Sequence, residues 1–179
     1  MDRIIDPEMI SSRLDWKEFE GLASRALESL GFRTRRNERF VKPRMEIDLL
    51  ADRDGTAFAI DCKHWKRTVG RSTMLRISQK QISRSKRVIE ELDFQRVVPT
   101  ILTWHDEMLH ILESGVPIVP IHKLSDFILN WESCGDGLLV LRKRRSRATL
   151  PVEQQTKLHF GESGMPMSKR RQKKKPFSS

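Results

Sequence analysis

"MEIDLLADRDGTAFAIDCKHW", Met45 to Trp65, decides the reading of this chain. Apolar residues alternate or run through "MEIDLLA" and "TAFAIDCKH", and "DRDG" between them holds the Asp-Gly pair that favours a tight hairpin turn. Two strands are expected, yet they carry charges that pattern alone does not require. Side chains two apart on a strand share a face, so Asp61 and Lys63 project together while Cys62 points the other way. Glu46 and Asp48 share a face of the preceding strand by the same rule. Pairing through the turn brings Asp48 and Asp61 to one end of the sheet.

Upstream, "SSRLDWKEFEGLASRALESLGF" places Trp16, Phe19, Ala23, Ala26, Leu27 and Leu30 at helical spacing, and Gly31 stops the run. Asp15 and Glu18 stand at the spacing of a capping box. Glu20 lies at the border of the apolar stripe, from which its carboxylate can look toward the following strands. A short strand from Phe32 and a basic loop, "RTRRNERFVKPR", lead into the hairpin. Downstream the period returns to helical from Arg71 to Leu92, with Leu75, Ile82 and Ile89 as the expected buried stripe. Arg76, Lys80, Arg84 and Arg87 form a basic face on the other side. Between Asp61 and Glu90 there are nine Lys or Arg, including Lys66 and Arg67, and no acid. The segment from Arg96 to Trp131 then reads strand, helix, strand, helix, which implies crossover units and a mixed sheet with helices on both sides.

Carboxylates that converge in a half-buried place repel one another and resist desolvation. Lys63 supplies one balancing charge, and a divalent metal supplies the rest. Two or three carboxylates plus water make the hard oxygen shell that Mg2+ takes, with Mn2+ as a substitute. Such a metal activates water for attack on a phosphodiester, with a lysine beside the water or the phosphate.

The order "FE" on the first helix, "EIDLLA", then "AFAIDCKHW" resembles the PD-(D/E)xK nuclease superfamily. It is most similar to the Mrr-type restriction endonuclease branch, with archaeal Holliday-junction resolvases next. "ILTWHDEMLHILESGVPIVPIHKLSDFI" resembles that branch's closing segment, so the likeness covers roughly residues 14 to 131. It implies an α/β restriction endonuclease-like fold, a mixed central sheet flanked by helices. By position it implies that Asp48 and Asp61 bind the metal, that Lys63 is the catalytic lysine and that Glu20 is the helix acid. Asp61 stands where many Mrr-type members carry Gln, which makes the site resemble the acidic form found in resolvases.

The expected activity is that of a metal-dependent endodeoxyribonuclease, with DNA as partner. The alternatives are a branched-DNA resolvase and a non-catalytic DNA-binding module of the same fold. Arg76, Lys80, Arg84, Arg87, Lys66 and Arg67 are the expected DNA contacts. Cutting two strands needs two sites, which raises the expectation of a homodimer.

Charge separates the chain into two parts. Residues 1–141 hold 22 basic and 22 acidic residues, whereas 142–179 hold 12 basic and 2 acidic, so the net +10 comes wholly from the end. The expected division is a nuclease-like domain over 1–141 and a flexible basic tail over 142–179, whose "RKRRSR" and "KRRQKKK" suit phosphate. No apolar run approaches the roughly 20 residues of a membrane span, and the N-terminus lacks a signal peptide's apolar centre. A cytoplasmic, membrane-free protein is expected. Cys62 and Cys134 have no paired-ligand spacing and read as reduced thiols.

Overall fold

The computed structural model describes residues 16–65, 69–104 and 108–144. Asp15, Lys66 and Arg67 lie outside these, as does the tail beyond residue 144. The chain divides into Met1–Lys143 and Arg144–Ser179, and all that follows concerns the first unit.

Helix α1, Trp16–Ser29, turns Phe19, Ala23 and Leu27 fully inward. Gly31 ends the run in the left-handed region, with a φ of 81°. Strand β1 is longer than expected. Arg33–Phe40 is one continuous strand, antiparallel to β2, Met45–Arg53, because its basic side chains flank a paired backbone rather than a loop. β2 turns through Asp54 and Gly55, with φ of 51° and 75°, into β3, Thr56–Lys63. Two positive φ values make this the type I′ hairpin that Asp-Gly favours.

β3 then crosses through helix α2, Arg71–Glu91, to the parallel strand β4, Arg96–Thr103. β5, His110–Ile111, and β6, Pro117–Pro120, form a small hairpin beyond β4, followed by helix α3, Leu124–Asn130. The sheet order is β1-β2-β3-β4-β6-β5, and β7, Leu141–Arg142, pairs with β4 on its free flank. This is a mixed sheet with helices on both sides, as expected. Arg142 and Lys143, counted with the tail from charge alone, belong to this packing: Lys143 bonds the Gln95 carbonyl and pairs with Asp93.

Two further expectations fail. Residues 108–112 are not helical: Leu109 and Ile111 pack into one core cluster and Leu112 into another, the alternation of a strand. Helix α2 also turns inward a face shifted from the expected stripe: Ile82 and Ile89 pack half-buried against two core clusters, but Leu75 does not. The helix's buried residues are Ser78, Gln81, Ser85 and Val88, while Leu75 is 42% exposed. The reason lies in β3, whose Ala57 and Ala59 line the face toward α2 while Phe58, Ile60 and Cys62 fill the opposite one. Small residues on the strand admit a close helix, whose fully buried positions are Ser78, Gln81, Ser85 and Val88. Gln81 Nε2 donates to the Ala59 carbonyl at 2.6 Å, a bond that a bulky apolar stripe would prevent.

Pairing between β2 and β3 stops at Leu49 and Ile60, although both strands continue. β2 runs on with β1 to Met45, and β3 runs on with β4 to Lys63, so the sheet forks. Asn37 stands opposite Asp48, is skipped in the β1 ladder, and takes a φ of 55°. Asn tolerates this conformation better than other residues with a Cβ. The face assignment of β2 switches here, because Leu49 packs on the α1 side and Ile47 on the α2 side. The fork and the switch coincide at Asp48.

Candidate active site at the sheet fork

Asp48 uses its side chain where strand pairing ends: Oδ2 accepts the Cys62 amide at 2.9 Å. This bond ties the two arms of the fork together. Across from it Asp61 is 2% exposed and accepts two cations, Lys63 Nζ on Oδ2 at 2.8 Å and Arg84 Nη1 on Oδ1 at 2.5 Å. The four charged groups sum to zero, yet Asp48 is not at ease. Burial first, and then the Asp61 charge, push its carboxyl up to about 6, against the pull of the Cys62 amide, Lys63 and Arg84.

The expected helix acid, Glu20, is 3% exposed, and its pKa is raised by burial despite a hydrogen bond from Trp16 and the nearby Arg36 charge. Its charged neighbours are Arg36, Glu46 and Lys17, so it approaches from the α1 side of the sheet, whereas Arg84 reaches in from the α2 side. The Cys62 thiol lies among the acids. Burial and the charges of Asp48, Glu20 and Asp61 raise its pKa, which keeps it protonated and inert. Trp16 links the two sides, bonding Glu20 while its ring lies 5.6 Å from Lys63 Nζ. It reads as core in sequence, but is 39% exposed at the site's edge.

The basic face of α2 is only partly free. Arg76 and Lys80 are exposed, whereas Arg84 is drawn to Asp61, and Arg87 is held by the Lys42 carbonyl and Glu91. Beside the fork, a cavity of about 890 Å³ opens between α2 and the β1–β2 turn. Arg39, Arg44, Arg76, Lys80 and Arg84 line it against a single acid, Glu46, which pairs with Arg39 at 2.9 Å. Arg39 and Arg44 belong to the stretch read as a basic loop, and the β1–β2 turn brings them to the cavity. His64 packs by its ring against Phe19 and Trp104, 6.3 Å from each.

The raised Asp48 pKa has a consequence for stability. Between about pH 4 and pH 6 the folded carboxyl keeps a proton that the unfolded chain releases, so its cost is absent at low pH and complete above about pH 6. Asp48→Asn retains an acceptor for the Cys62 amide and removes that cost. It is expected to stabilise the protein by about 1–2 kcal/mol at pH 7, with the gain shrinking as pH falls toward 4. Urea unfolding at both pH values checks this, and a variant less stable than wild type at pH 7 would reverse it.

A mixed sheet that forks around buried carboxylates and a lysine defines a restriction endonuclease-like nuclease fold. Comparison with known proteins agrees. The restriction endonuclease (Mrr catalytic) family model matches residues 11–86, a span that contains Glu20, Asp48, Asp61, Lys63 and Arg84. An uncharacterized protein of Archaeoglobus fulgidus is 33% identical over 119 residues, covering 64% of this chain and 90% of the relative. The chain belongs to the Mrr-type restriction endonuclease family. A crystal structure of a protein of unknown function is 23% identical over 62% of this chain, with a TM-score of 0.39. The chain spans 54% of the length of that protein.

Among the described residues no three His, Cys, Asp or Glu side chains form a ready cation cage. Asp48 and Asp61 nevertheless suit a cation such as Mg2+, which takes one or two carboxylates and fills its remaining positions with water and phosphate oxygens. Among the described residues no helix is long and apolar enough to cross a membrane.

Proposed function

We propose that this chain is a metal-dependent endodeoxyribonuclease that hydrolyses phosphodiester bonds with an activated water. The observation that carries the reading is the fork itself, which sets Asp48, Asp61 and Lys63 beside a cavity lined with five basic residues and one acidic residue. Asp48 and Asp61 would hold Mg2+ or Mn2+, with the Cys62 carbonyl and water completing the shell, and Glu20 assisting from α1. When bound, the cation supplies charge stabilisation and a more acidic water. Lys63 Nζ, steered by Asp61 and the Trp16 ring, donates to the attacking water or to the phosphate oxygen. Arg76 and Lys80 hold the backbone of DNA in the cavity, which provides affinity without base choice.

The test incubates the protein with linear duplex, supercoiled plasmid, flap and four-way junction DNA, each with Mg2+, Mn2+ or EDTA. Cleavage that appears with metal and disappears with EDTA supports the proposal, and the ranking of substrates separates duplex cutting from junction resolution. Binding without cleavage of any substrate would leave a DNA-binding module instead. In the same setting, Arg76→Ala with Lys80→Ala is expected to weaken DNA binding for all sequences alike. The slope of log affinity against log salt should fall by about 2, roughly one per phosphate contact. Fluorescence anisotropy across salt concentrations checks it, and an unchanged slope would remove both residues from the interface.

A further inference from the structure

Asp61 has no free oxygen. Lys63 holds one and Arg84 the other, while Arg84 also lines the basic cavity and keeps about a quarter of its side chain exposed. A divalent cation entering beside Asp48 therefore competes with the Arg84 guanidinium for Asp61 Oδ1. The charge balance adds a second constraint. With Asp48, Asp61, Lys63 and Arg84 already at zero and only Glu20 beyond them to offset it, a cation alone would leave excess positive charge among buried groups, which is unfavourable. Phosphates of the substrate bring the missing negative charge and offer the guanidinium a two-pronged partner of the kind it prefers.

We propose that Arg84 is a displaceable counter-ion, which occupies Asp61 until DNA arrives and then exchanges that carboxylate for a substrate phosphate, so that metal and DNA bind cooperatively. The proposal rests on the nuclease reading above and adds the regulation of its metal site. Two features of the fold make the exchange feasible. Ala57 and Ala59 let α2 lie close enough for Arg84 to reach Asp61, and one turn earlier Lys80 already faces the cavity to which Arg84 would move. The coupling is reciprocal by necessity, so DNA must tighten the cation as much as the cation tightens DNA.

The experiment measures bound Mn2+ by electron paramagnetic resonance, with and without a short duplex that is sized afterward. Wild type, Arg84→Gln and Arg76→Gln are compared, the last removing the same charge two turns away on α2. Wild type is expected to bind Mn2+ weakly alone and about tenfold more tightly with duplex, an ordinary size for a coupling between sites. Arg84→Gln should bind Mn2+ alone about tenfold more tightly than wild type and lose most of the duplex effect. Arg76→Gln should stay within about twofold of wild type without DNA, because solvent screens a charge that does not touch Asp61. Thermal melting confirms folding, and Arg84→Lys, which keeps the charge without the fork, is expected to fall between wild type and Arg84→Gln.

Equal Mn2+ affinity for wild type and Arg84→Gln would overturn the role of Arg84 and leave the nuclease reading standing. So would an Arg76→Gln effect as large as that of Arg84→Gln, since the field alone would then account for it. No Mn2+ binding by any variant, with or without duplex, would overturn both.

Discussion

Asp61→Ala is expected to destabilise the fold by about 2–4 kcal/mol and to abolish cleavage. The carboxylate is 2% exposed and accepts from Lys63 at 2.8 Å and Arg84 at 2.5 Å, so its removal leaves two cations facing each other. Breaking a buried pair by deleting one partner costs about 3–5 kcal/mol, because the remaining charge is desolvated without compensation. The lower range applies here because both cations keep about a quarter of their side chains exposed and can swing toward water. Chemical denaturation at neutral pH measures the loss. A variant as stable as wild type would show that the two ion pairs contribute nothing net, and would contrast with the gain expected for Asp48→Asn. The two site acids thus have opposite effects on stability, since Asp61 is paired twice and Asp48 only accepts an amide.

Lys63→Met is expected to lower the cleavage rate by roughly 10²–10⁴-fold while changing stability little. Methionine keeps most of the apolar stem, and Asp61 retains Arg84 as a partner. What disappears is the ammonium that Asp61 and the Trp16 ring hold at the fork. Single-turnover cleavage with saturating metal separates this from weaker DNA binding, and melting controls for folding. A rate equal to wild type would remove Lys63 from the chemistry.

How much of this is legible in the sequence differs by element. The α1 stripe of Phe19, Ala23 and Leu27, and the hairpin turning at Asp54-Gly55, follow from local rules, because period and turn chemistry act within a few residues. The likeness to the Mrr-type family rests on the spacing of Asp48, Asp61 and Lys63, and that family is the one found. Helix α2 misleads for a physical reason. Leu75, Ile82 and Ile89 look like a core stripe, and Ile82 and Ile89 do pack against the core, but the fully buried face is chosen by the surface the helix meets, and Ala57 and Ala59 admit Ser78, Gln81, Ser85 and Val88 there. The same choice turns Arg84 inward. Asn37 carries a weaker signal, an Asn inside a basic strand, whose positive φ matters only because it stands opposite Asp48.

The sequence by itself determined helix α1, the hairpin at Asp54-Gly55 and the roster of charged residues, since helix period and turn preference depend on near neighbours. Tertiary structure decided where the sheet parts, which face of α2 meets β3, and that Arg84 reaches Asp61. The fork depends on contacts more than ten residues apart, and the other two on contacts more than twenty apart, as in the Gln81 bond to Ala59 and the Arg84 bond to Asp61. Shape and charge complementarity set such contacts, and periodicity along the chain does not encode them.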